Sequence, residues 1–75
     1  MILILKDEIR TRARRINKVV FDIAEANDVS IETVKRWVYS KDPAKQRKLA
    51  LKHNQDIIRK HLDIPADTDI TISIN

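Results

Sequence analysis

Ile23-Ala24-Glu25-Ala26-Asn27-Asp28-Val29-Ser30-Ile31-Glu32-Thr33-Val34-Lys35-Arg36-Trp37 is the stretch on which the fold turns. Ile23 and Ala24 share one helix face, and Val34, Trp37 and Val38 repeat at the three- and four-residue spacing of a second helix. Ala24 is small where two crossing helices come closest. Between the helices, Asn27-Asp28 is a turn signal, because both residue types tolerate left-handed backbone angles. Ser30 is placed to cap the second helix, its hydroxyl accepting an amide that the first turn leaves unpaired. Lys35 and Arg36 then project away from Val34 and Trp37. A helix, a tight turn and a capped helix with cations outward is the arrangement that insertion into a DNA major groove needs.

Ala24, Asp28-Val29-Ser30 and Thr33-Val34, at this spacing, resemble the helix-turn-helix of bacterial and phage repressors, including the lac-repressor and Cro-like groups. Val20-Phe21-Asp22-Ile23-Ala24-Glu25 is similar to the first helix of that motif. The chain departs from the pattern at two positions. Asp28 stands where the turn usually carries Gly, and Asn27 stands where a partly buried apolar residue is usual. The resemblance implies a DNA-binding domain with the second helix of the motif as the reader, and the periodicity of the whole chain predicts a mainly α fold of about four helices with a small β ribbon from its termini.

Length bounds the rest. Seventy-five residues are expected to make one domain with a core of marginal size. The chain has no Cys, so no disulfide or thiolate metal site can brace it, which suits a reducing cytoplasm and leaves self-association as the added source of stability. No apolar run reaches membrane-spanning length, and Met1-Ile2-Leu3-Ile4-Leu5 is too short for a secretory signal core. The net charge of +4 leans weakly towards a polyanionic partner.

The placement of charge says more than its sum. Arg10, Arg12, Arg14, Arg15 and Lys18 form one basic run; Lys35, Arg36, Lys41, Lys45, Arg47, Lys48 and Lys52 form another, interrupted by Asp42. Such runs are ordinarily solvated helix faces. Flanking this motif, they are expected to grip phosphate on either side of a groove.

Outside the motif, periodicity predicts a first helix from Lys6 to about Ile16, with Ile9, Ala13 and Ile16 inward and Asp7 and Glu8 in its first turn. Asn17 is expected to cap the next helix, from about Lys18 to Ala26, and the reader helix runs from Ile31 to about Tyr39. Asp42-Pro43 starts a further helix. It is expected to reach Leu62 with Leu51, Ile58 and Leu62 inward, and His53-Asn54 as a point of interruption. Strands are predicted at Ile2 to Leu5 and at Asp69 to Ile74, the latter alternating Ile70, Ile72 and Ile74 against Thr71 and Ser73. This terminal ribbon pairs either within the chain or with a second copy, as a dimerisation element.

Little in the chain reads as catalytic. With no Gly there is no phosphate-cradling loop and no dinucleotide fingerprint. Ser30, Ser40 and Ser73 have no His or acid in a nucleophile pattern, and His53 with His61 makes a poor metal site without a third ligand. The expectation is no enzyme, no cofactor, no metal and no small-molecule ligand.

Each candidate DNA contact has a plainer alternative. Ser30 reads as a phosphate contact or only as a cap, and Ile31 as a thymine-methyl contact or as closure of the turn. Glu32 reads as an acceptor from cytosine or as an acid favoured by the helix dipole. Lys35 and Arg36 are the chief base readers, Arg36 bidentate on guanine. Tyr39, Lys41, Arg12 and Arg15 are assigned to phosphate. Trp37 belongs to the core by its spacing from Val34. These residues predict a small homodimeric regulator, a phage-like repressor, that occupies double-stranded DNA by placing residues 31–39 in the major groove. Two alternatives stay open. Thr33-Val34-Lys35-Arg36-Trp37 with Ser40-Lys41-Asp42 also resembles the N-terminal region of phage terminase small subunits, which bind DNA for packaging. The other is a protein-interaction module of antitoxin type.

Overall fold

The computed structural model describes residues 1–74. Along it run β1 (Ile2–Leu5), α1 (Asp7–Arg14), α2 (Asn17–Asn27), α3 (Ile31–Tyr39), α4 (Pro43–Gln46), a 3-10 turn (Arg47–Ala50), α5 (Lys52–Leu62) and β2 (Thr71–Ile74). The protein is mainly helical, with a small antiparallel ribbon made by its two ends: Ile2 faces Ile74, and Ile4 faces Ile72. The terminal strands therefore pair within one chain. No helix among the described residues is long and apolar enough to cross a membrane.

One apolar cluster joins these elements. Ile9 and Ala13 of α1, Val19 and Ile23 of α2, Val34 and Val38 of α3, Leu49, and Ile58 of α5 meet Leu5 and Ile70 from the two ends of the chain. On α1 and α3 the inward stripes are those the helical spacing predicts. Asp7 and Glu8 occupy the first turn of α1, and Asp42 caps α4 by accepting the Ala44 amide at 3.0 Å, ahead of Pro43.

Three expectations need correction. Asn17 does not cap α2: it is the first helical residue, and Ile16 precedes it in extended conformation (φ −107°, ψ 103°) with its side chain against the core. Burial of Ile16 sets the break between α1 and α2, so α1 ends at Arg14.

The long helix from Pro43 to Leu62 is not continuous. It breaks at Leu51 (φ −63°, ψ 143°), two residues before His53, and Leu51 is exposed rather than inward. Side chains compete with the backbone here. The Asn54 amide donates to the Lys48 carbonyl at 2.8 Å, and the Gln55 amide donates to the Ala50 carbonyl at 2.6 Å. In a straight helix those carbonyls would take backbone amides from Lys52 and Asn54.

The second strand starts at Thr71, not Asp69. Ile70 is fully buried in the main core, whereas Ile72 is 43% exposed, so the three isoleucines do not make one apolar face. Asp69 instead accepts the Thr71 amide at 3.0 Å and its hydroxyl at 3.1 Å, and these bonds hold its carboxyl below the ordinary carboxylate range.

Candidate nucleic-acid interface

The α2–turn–α3 unit rests on one left-handed residue. Asp28 adopts φ 54°, ψ 47°, the conformation Gly takes most easily and Asp tolerates. Its amide donates to Glu25 at 3.3 Å, and the Val29 amide donates to Ala24 at 3.1 Å. These are the paired bonds that close a helix on a left-handed residue. Asn27, just before it, is held by polar partners: its Nδ2 donates to the Ile23 carbonyl at 2.6 Å and to Asn54 Oδ1 at 2.7 Å. At both departures from the usual pattern, a physical substitute is in place.

Ser30 caps α3, its Oγ accepting the Thr33 amide at 3.2 Å and lying 3.0 Å from the Thr33 hydroxyl. Val34 and Val38 are fully buried, and Ile31 and Trp37 pack against the same cluster. Ile31 thus closes the turn, and Trp37 is anchored inward.

The opposite side of α3 is open. Glu32, Lys35, Arg36 and Tyr39 are exposed. At 100° per residue they fall within one stripe about 100° wide. Glu32 and Lys35 approach to 4.0 Å, an exposed pair that contributes little to stability. Among the described residues, Arg36 makes no ion pair, and Lys41 stands exposed just beyond the helix. At the C-terminal end of the stripe, the Arg14 guanidinium lies 5.1 Å from the Tyr39 ring centroid.

The basic run of α1 is divided among different neighbours. Arg10 Nη1 donates to the Ser40 carbonyl at 2.7 Å, where Gln46 Nε2 also donates at 2.9 Å. Arg10 is therefore a structural cap on α3. Arg14, one turn on, shares that side and reaches Tyr39. Arg12 lies about 200° around α1 from Arg10, and its Nη2 donates to the Leu62 carbonyl at the end of α5, at 3.4 Å. Arg15 is exposed at the end of α1. The structure thus brings Ser30, Glu32, Lys35, Arg36, Tyr39 and Lys41 onto α3 and its ends, and directs Arg12 to another helix. Arg14 is the side chain that sequence reasoning did not single out. An aromatic partner from a distant helix left no signal in the pattern of the basic run.

On the far side, α2 is tied to α5. Asp22 lies 2.6 Å from His61 Nε2 and 3.0 Å from Lys18 Nζ. The bond from His61, reinforced by Lys18, holds the Asp22 carboxyl below its ordinary range. His53 and His61 both serve as bridges from α5 to α2. In comparisons with protein-family models, curated proteins and solved structures, nothing matches the chain.

Proposed function

We propose that this protein binds double-stranded DNA with sequence specificity, as a small repressor-like regulator of transcription in the cytoplasm, by laying α3 in the major groove. The observation that carries the reading is the open stripe Glu32–Lys35–Arg36–Tyr39 on a helix that is capped at Ser30 and reached through a left-handed turn. Arg36, a cation without a carboxylate partner among the described residues, on a helix whose other face is locked into the core, suits base recognition. Arg14, Lys41 and Tyr39, at the C-terminal end of the stripe, are the groups assigned to flanking phosphates in this reading.

A reader of this size gains affinity by acting in pairs, and the ribbon offers the means. β1 packs on the 3-10 turn and α4, while β2 packs almost wholly on β1 and leaves its outer edge unpaired. A second copy joined along β2 would pair that edge and cover Ile72. Two α3 helices would then meet half-sites about one DNA turn, roughly 34 Å, apart, and the operator would be a near-palindrome.

Selection of bound duplexes from random DNA tests the reading. A single near-palindromic site should emerge, and Arg36→Ala or Lys35→Ala should each cost about 1–3 kcal/mol and relax the preference at one position. No enrichment from the wild-type pool, or the same site at undiminished affinity in both variants, would remove α3 as the reader.

A further inference from the structure

Asn54 is a fully buried amide in the first turn of α5, and both ends of its side chain are engaged. Its Nδ2 donates to the Lys48 carbonyl at 2.8 Å, and its Oδ1 accepts from Asn27 Nδ2 at 2.7 Å. The Asn27 Oδ1 in turn takes a bond from His53 Nε2 at 2.7 Å. Asn27 is the last residue of α2, directly before left-handed Asp28, so two neighbours on α5 hold the point from which the chain swings into α3. Apolar packing here would be non-directional and would tolerate sliding and tilting. Amide bonds tolerate neither, because they weaken steeply when bent or stretched.

We propose that Asn27, His53 and Asn54 form a polar clasp that sets the angle at which α3 leaves the turn, making Asn54 a positioning residue for base recognition. The proposal rests on the DNA-binding reading of α3. The Asn27–Asn54 bond itself adds little net stability, since an apolar pair of similar volume can replace it. What it supplies is a single geometry. Phosphate contacts from exposed cations survive a small tilt of α3, whereas base contacts do not.

The double replacement Asn27→Leu with Asn54→Leu separates these roles. It should remain folded, with a melting temperature lowered through the lost bond to the Lys48 carbonyl, and bind random-sequence DNA with affinity within about twofold of wild type, while the preference for the selected site over random DNA falls about tenfold or more. Hydrogen exchange at the Val29 amide, which closes the turn on Ala24, should accelerate in the same variant. A folded double variant that keeps both its site preference and the Val29 protection overturns the clasp. Should that variant fail to fold, His53→Ala removes only the exposed bond; it should lower the preference by a smaller factor and speed Val29 exchange, and no change in either overturns the proposal. If wild-type protein shows no sequence preference, the DNA reading fails by itself. Val29 exchange then decides the clasp alone: acceleration in the double variant supports it, and unchanged protection overturns it.

Discussion

The two ends of α3 are held by different chemistry. At its N-terminal end, the turn is fixed by neutral groups: a serine cap, a left-handed aspartate backbone, and the amides of Asn27 and Asn54. At its C-terminal end, the Ser40 carbonyl takes one donor from the Arg10 guanidinium and one from Gln46, and Tyr39 lies beside the Arg14 guanidinium. A cation at a helix C-terminus complements the macrodipole. The N-terminal end therefore carries geometry, through directional bonds anchored on the buried Asn54 amide. The C-terminal end carries charge, of which Arg10 is committed to the fold and Arg14 rests against Tyr39.

The largest effect should come from breaking the neutral end. Asn54→Ala leaves the Lys48 carbonyl and the Asn27 amide without their interior partner and opens a small cavity. It should lower unfolding free energy by about 2–4 kcal/mol in urea titrations. Arg10→Ala tests the charged end. Gln46 still serves the Ser40 carbonyl in that variant, and the Arg10–Asp7 pair is exposed on its acidic side, so the loss should be smaller, about 1–2 kcal/mol by the same titration. An Arg10→Ala loss larger than that of Asn54→Ala would reverse the assignment of the two ends.

A gain is expected at the turn itself. Asp28 is exposed and pays a backbone cost at φ 54° that Gly would not. Asp28→Gly should raise stability by up to about 1 kcal/mol with operator preference unchanged. The smallest stability effects belong to the two arginines of α1 that sequence alone could not tell apart. Arg14→Ala should flatten the salt dependence of DNA affinity by about 0.9 in log–log slope, while Arg12→Ala should leave the slope unchanged and weaken the fold slightly through the Leu62 carbonyl.

Much of the motif was legible because its signals are local. Asn27-Asp28 marked the turn, Ser30 the cap, and Val34, Trp37 and Val38 the inward face, all from spacing and backbone preference. Asp42-Pro43 announced α4 for the same reason. Features decided between distant elements were not legible. The break at Leu51 has no Gly or Pro to announce it; it arises because the Asn54 and Gln55 side chains take carbonyls that a straight helix would use. Ile70 reads as a strand residue by alternation, yet it is drawn into the core before the ribbon starts. The arginines of α1 form a basic run with no acid among them, and only the packing of α3 and α5 shows which is a cap and which lies against Tyr39. Asn27 offered one clue that went further, since an amide at a half-buried position needs a partner.

The most direct measurement is a map of backbone amide shifts as the wild-type protein is titrated with its selected duplex at physiological salt. The account predicts the strongest changes from Ser30 to Tyr39 and at Lys41, with weaker ones near Arg14 and none along the outer face of α5. Changes centred on the terminal ribbon or on α5, with α3 silent, would contradict it.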